Sequence, residues 1–131
     1  MTDPAPPVRP RLSVFALDCP DPRSLAAFYS ALTGWPVRPS DLDDVDGDWF
    51  ELVADGPVTI ACQQVDDFHA PQWPGQEHPQ QAHPDFDVAD LDAGERFVLQ
   101  IGARKADVQP GDSFRVFLDP VGHPFCLVRA S

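Results

Sequence analysis

The chain has 131 residues, enough for one domain with a single sizeable core, and its 43% hydrophobic content with nine Phe excludes a disordered chain. Its 21 acidic residues against nine basic ones give a net charge of −12, a field that repels phosphate backbones and excludes nucleic acid as a partner. No apolar run approaches the ~18 residues of a membrane span, which excludes membrane insertion.

Taken in chain order, the proline-rich residues 1–10 are expected to form a flexible arm. The opening Met1-Thr2-Asp3-Pro4 has neither a basic nor an apolar stretch, so no secretory signal is expected and the expected address is the cytoplasm. Leu12 to Leu17 reads as a strand. Asp21-Pro22 predicts a helix start, with Asp as cap and Pro in the first turn. Leu25, Phe28, Tyr29 and Leu32 recur at helical spacing, and Gly34 closes the helix. Short strands are predicted near 35–38, 48–53 and 58–65, the last two joined at Asp55-Gly56-Pro57. The acidic run Asp41 to Asp48 lacks the terminal Glu of a calcium loop and reads as a solvated loop.

Prolines 71, 74 and 79 mark residues 66–81 as an irregular connector, where His69 and His78 should be solvent-exposed. A second unit spans 82–129. It has a strand ending at Val88, a cap at Asp90, and a helical stripe of Phe97, Val98 and Ile101 ending at Gly102. Strands near 104–108, 113–118 and 124–129 follow, with a turn at Asp119-Pro120-Val121-Gly122. Sliding the chain by 69 positions places Leu17 on Phe86, Asp18 on Asp87, Asp21 on Asp90 and Phe28 on Phe97. The expected fold is therefore α+β: a single domain over 11–129 made of two βαβββ modules, 11–65 and 82–129, paired around a concave cup.

Period-two alternation sorts the cup face. It assigns Ala61 and Gln63 of 58–65, His83 and Asp85 of the fourth, Arg115 and Phe117 of 113–118, and Cys126 of 124–129, and the internal repeat carries His83 and Asp85 onto Val14 and Ala16 of the first strand. Phe114, Val116, Leu118, Phe86, Val88, Phe125 and Leu127 fall on the helix-packed side. Cys19, Cys62 and Cys126 contain no CxxC spacing, which fits reduced thiols rather than a structural zinc site or a disulfide framework. Neither GxGxxG, a Walker loop, GxSxG nor HExxH occurs.

Three stretches carry a family resemblance. They are Asp21-Pro22-Arg23-Ser24-Leu25-Ala26-Ala27-Phe28-Tyr29 with Gly34-Trp35, His83-Pro84-Asp85-Phe86-Asp87-Val88-Ala89-Asp90, and Phe117-Leu118-Asp119-Pro120-Val121-Gly122-His123-Pro124-Phe125-Cys126. Together they resemble the vicinal oxygen chelate superfamily, in its glyoxalase-like and bleomycin-resistance-like members. That resemblance implies two βαβββ modules around a cup, commonly completed across a homodimer. It also implies a divalent metal held by His and Glu on four cup strands, acting as a Lewis acid on vicinal oxygens. Carried over by position, the four ligands become Val14, Gln63, His83 and Cys126. An imidazole, an amide and a thiol make a poor seat for a hard cation, so no cofactor is expected. If one divalent metal ion is retained, His83 and Gln63 are its expected ligands.

His83 is open to three readings: ligand, general base, or polar wall residue. Cys126 is a nucleophile only if its pKa is depressed, and otherwise a small wall residue. Arg115 pairs with Asp85 or anchors a ligand carboxylate. His123 reads as a rim residue of its turn. Trp35, Trp49 and Trp73 divide between core and an aromatic binding surface. The expected role is to bind a small organic molecule in the cup without the usual metal. The alternative is a metal-dependent lyase, isomerase or dioxygenase with an altered ligand set.

Overall fold

A computed structural model describes residues 6–130, so the first half of the expected arm lies outside the described residues. The first module opens with β1 (Val14–Cys19) and α1 (Pro22–Thr33), followed by the short α2 (Pro39–Leu42), β2 (Trp49–Glu51) and β3 (Thr59–Gln64). The second contains β4 (Asp85–Val88), α3 (Leu91–Gln100), β5 (Arg104–Lys105), β6 (Phe114–Leu118) and β7 (Pro124–Arg129). The architecture is α+β, two modules of like plan, as the internal repeat predicts. No described helix is long and apolar enough to cross a membrane.

Both long helices begin where the sequence places their caps. The Asp21 carboxylate accepts from the backbone N–H of Arg23 and Ser24, and Asp90 from Asp92 and Ala93, supplying partners to donors that the first helical turn leaves unpaired. Gly34, at φ 77°, ends α1 in the left-handed conformation, and its N–H donates to Ser30 O at 2.9 Å.

The sheets have orders β1-β3-β2 and β4-β7-β6-β5. In each, the first strand runs parallel to the last: Ala16 opposite Ala61, and Asp85 opposite Cys126. The strand expected near 35–38 is reduced to one bridge, Val37 to Leu52. Within the acidic run only Asp41 departs from the expected solvated loop. Arg38 donates to both Asp41 carboxylate oxygens at 3.0 Å, and the Glu51 N–H donates to Asp41 Oδ2 at 3.0 Å, which anchors α2 on β2. Asp43, Asp44, Asp46 and Asp48 of that run are exposed.

The modules share one core. Phe125 of β7 stacks on Phe117 at 5.8 Å, meets Phe86 edge-on at 6.0 Å, and reaches Phe28 of α1 at 6.0 Å. Beside it the buried Tyr29 hydroxyl donates to Asp119 Oδ2 at 2.7 Å. The other Asp119 oxygen accepts three N–H groups, from Val121, Gly122 and His123, each at 3.0 Å. Asp119 thus folds its own turn and ties it to the first module's helix. Burial and the Asp119 charge hold the Tyr29 hydroxyl protonated well above the ordinary tyrosine value. His123, expected at the rim, places Nε2 at 2.6 Å from Asp18 O and so also joins the modules.

One strand phase is corrected. Arg115 and Phe117 do not face the cup: Phe117 is fully buried under the helices, and Arg115 donates to Asp92 at 2.8 Å and Glu95 at 3.2 Å on α3. Phe114 and Val116 take the opposite face. The cause is the turn, because Asp119 N–H donates to His123 O and the strands continue as Phe117 opposite Phe125 and Arg115 opposite Leu127. Directly opposed residues share a face. Once Phe125 and Leu127 pack inward, Phe117 and Arg115 must follow.

Candidate functional site

The concave side of the second sheet holds a cavity of about 420 Å³. Its floor comes from β6 and β7: Phe114, Val116, Cys126 and Val128, with Pro110 beside them. The Phe114 ring lies so close against the Gly111 backbone that a Cβ at 111 would overlap it and force the ring to shift. Trp73 and Gln80, both from the connector, close one side, and His83 and Asp85 form a polar rim. Among the described residues no Lys or Arg lines the cavity. Gln80 Oε1 is buried without a hydrogen-bond partner among the described residues.

The polar end is built on two adjacent parallel strands. His83 and Asp85 flank Pro84, so alternation brings both side chains to one side, with His83 Nε2 at 3.1 Å from Asp85 Oδ1. The Pro84 carbonyl between them accepts the Cys126 N–H at 3.0 Å, which fixes Cys126 opposite Asp85. The imidazole nitrogen, the carboxylate oxygen and Sγ all lie within 4.8 Å of one another. His83 and Asp85 side chains are 39% and 54% exposed, whereas Cys126 is 6% exposed. Burial, the charge of Asp85 and a hydrogen bond to it push the Cys126 thiol up to about 11. As it stands it is a neutral thiol at physiological pH, without the depressed pKa a nucleophile needs.

The other residues assigned to the cup lie elsewhere. Ala16 lines a second cavity of about 480 Å³, which β1 shares with connector residues including His69 and His78. Both histidines are exposed, as expected. Val14 is half-buried on β1, and Gln63 is exposed on β3 opposite Asp18 and Trp49; neither lines the β4–β7 cavity. Trp35 packs at the margin of the main core, Trp49 donates Nε1–H to Glu51 at 3.1 Å, and only Trp73 enters this cavity. Of the four-ligand set the resemblance implies, Val14 has no donor atom, Gln63 stands apart, and Cys126 offers sulfur in place of a carboxylate. The set does not fit a hard cation. Sequence reasoning placed Phe114 and Val116 on the wrong face and passed over Gln80, Pro110 and Val128. The turn length was the available signal for β6.

A family model described as a glyoxalase-like domain matches residues 14–128. The chain belongs to that family. Glyoxalase-like architecture also appears in solved structures. A glyoxalase/bleomycin resistance protein/dioxygenase family enzyme from Burkholderia phytofirmans PsJN superposes with a TM-score of 0.67 at 15% identity, covering 91% of this chain and 98% of its own. The fosfomycin resistance protein FosX from Mesorhizobium loti gives 0.68 at 16% identity, covering 95% and 94%. FosX from Listeria monocytogenes, in a mutant form complexed with Mn(II) and a dihydroxypropylphosphonic acid, gives 0.68 at 14% identity, covering 95% and 94%. At these identities the likeness is one of fold. No curated protein sequence matches the chain.

Proposed function

We propose that this glyoxalase-like protein binds a small, largely apolar organic molecule in the β4–β7 cavity, in a binding or resistance-type role. The observation that carries the reading is the mostly apolar lining of the cavity, Trp73, Pro110, Phe114, Val116, Pro124 and Val128, with few polar groups among it. The ligand is neutral or cationic: among the described residues no Lys or Arg lines the site, Asp85 stands at its rim, and the whole chain carries −12. A phosphonate like the one bound by the Listeria protein has no counter-charge here. Binding needs no hard cation. We further propose that a second copy of the chain completes the cup as a homodimer, because first-module residues line no part of this cavity. A reducing cytoplasmic setting belongs to the same reading, supported by three free cysteines.

The test is a thermal-shift screen of neutral, cationic and anionic compounds on EDTA-treated protein. A ligand at a hundred times its Kd stabilises the fold by about 2.7 kcal/mol, a readily measured rise in Tm. Hits are expected among apolar neutral and cationic molecules, and Val116→Asp, which puts a charge on the apolar floor, should lose them. Hits confined to anions, or hits that survive Val116→Asp, would overturn the reading. Sedimentation of the same sample reads the dimer directly.

A further inference from the structure

We propose that the N-terminal arm of one copy of this chain, Pro6 to Leu12, docks in a groove between the two modules of a second copy. The groove shares no lining residue with the β4–β7 cavity. The inference needs neither that cavity's ligand nor a cup completed by the second copy.

The groove holds about 330 Å³ and opens where the end of α1 meets α3 and β4. Leu32 and Trp35 line it from the first module, Phe86 and Phe97 from the second. Phe97 stays 43% exposed on α3, an apolar surface that its own chain leaves uncovered. Asp55 and Asp87, both exposed, add two carboxylates to the lining, and among the described residues no Lys or Arg joins them. Aromatic rings beside carboxylates suit a proline-rich segment that also carries positive charge.

The arm has that chemistry. Pro7-Val8-Arg9-Pro10 carries the proline spacing that favours polyproline II, and Arg11-Leu12 follows it. Residues 6–13 are all exposed, Val8 at 92% and Leu12 at 68%, so the arm packs on nothing in its own chain. Neither Arg9 nor Arg11 pairs with a carboxylate among the described residues. On a chain of net charge −12 they offer a second copy a local attraction against the overall repulsion. Position and stiffness select the second copy over the arm's own groove. The arm is rooted at Ser13, whose O accepts from Thr59 N–H at 3.0 Å, and Thr59 stands four residues beyond Asp55 of the groove. Docking on its own chain would need a sharp reversal within the arm, which Pro6, Pro7 and Pro10 oppose. Extended, its seven residues reach roughly 20 Å, and a two-fold arrangement lets each arm fill the other copy's groove.

Analytical ultracentrifugation of the full chain at low salt reads the contact. Arg9→Glu with Arg11→Glu, and separately Asp55→Lys with Asp87→Lys, should each weaken self-association by about tenfold or more. Combining all four reversals should restore it, because the charges are again complementary. The four side chains are exposed, so these changes do not reach the core. Position is read by mixing two chains, one carrying Val8→Cys and the other Phe97→Cys, with a short bis-maleimide; the three native cysteines are buried. A crosslink joining the two different chains is expected, and it should disappear when Asp55→Lys and Asp87→Lys are added to the Phe97→Cys chain. The proposal is overturned by self-association that both reversed pairs leave unchanged, by a four-reversal chain that stays weak, or by no crosslink between the two chains. A chain carrying both cysteines that crosslinks only within itself would place the arm in its own groove and overturn it as well. A dimer formed through the cup alone would persist in every arm and groove variant, so this result and the ligand screen can fail separately.

Discussion

The two modules use the same backbone lattice for opposite purposes. In the first, Ala16 on β1 lies opposite Ala61 on the parallel β3, with Val14 two residues earlier on the same strand. In the second, Asp85 lies opposite Cys126, with His83 two residues earlier. Val14 and Ala16 fall on His83 and Asp85 under the 69-residue shift, and Ala61 and Cys126 are their counterparts through the parallel pairing in each sheet. One lattice carries an imidazole, a carboxylate and a thiol; the other carries only methyl groups at the same points. Strand pairing therefore decides where side chains can meet, and residue identity alone decides which module has chemistry. The first module serves instead as the partner that completes the core, through Phe28 and Tyr29.

The comparison breaks most severely at Phe125, which touches both modules. Phe125→Ala should cost about 3–5 kcal/mol, from lost transfer energy and a cavity between Phe28, Phe86 and Phe117. Urea unfolding followed by tryptophan fluorescence and by circular dichroism should remain one coincident transition. Two separate transitions would mean that the modules fold independently. Tyr29→Phe should cost less, about 1–3 kcal/mol, because it removes one buried charge-assisted hydrogen bond and leaves the three backbone donors to Asp119 in place. The raised Tyr29 pKa favours the protonated hydroxyl in the folded state. Its contribution is therefore whole below about pH 10 and is lost as pH rises beyond that. Tyr29 is the one tyrosine in the sequence, so tyrosinate absorbance should appear together with alkaline unfolding rather than before it.

The smallest effect sharpens the contrast between the two faces of the second sheet. Arg115→Ala should cost the least stability of the three, since its partner Asp92 is 72% exposed and the pair is screened by solvent. It should leave ligand affinity unchanged. A loss of binding with stability intact would return Arg115 to the cup and reverse the assigned phase of β6.

Much of the fold was legible from local chemistry. Asp21-Pro22 with Gly34, and Asp90, specify helix ends by satisfying backbone groups, and such signals need no tertiary context. Single strands were harder. In Phe114-Arg115-Val116-Phe117-Leu118 both alternation frames contain large apolar residues, so period-two reasoning alone cannot choose between them. The choice lies in the turn, whose length opposes Phe117 to Phe125. Arg115 misled further because its guanidinium reaches carboxylates on α3, which satisfy it on the helix side. On β4 the alternation was unambiguous, and His83 and Asp85 do share a face with Cys126. What the sequence could not disclose was Gln80, whose place follows from how an irregular, proline-rich segment crosses the sheet. It also could not show that Val14 and Gln63 would stand outside the cavity that holds His83.

That connector has a consequence for adaptability. Trp73 and Gln80 shape the mouth of the cavity, yet no residue of 66–84 belongs to the principal core. The mouth of the cavity is thus written into a different stretch of chain from the principal core, although its floor shares β6 and β7 with that core. Substitutions in the connector can resize the opening or change its polarity while Phe125, Tyr29 and Asp119 hold the scaffold unchanged. A library confined to residues 74–81, which spares Trp73 and its packing on Ala106, Val116 and Cys126, would therefore vary the opening while leaving the packed clusters in place.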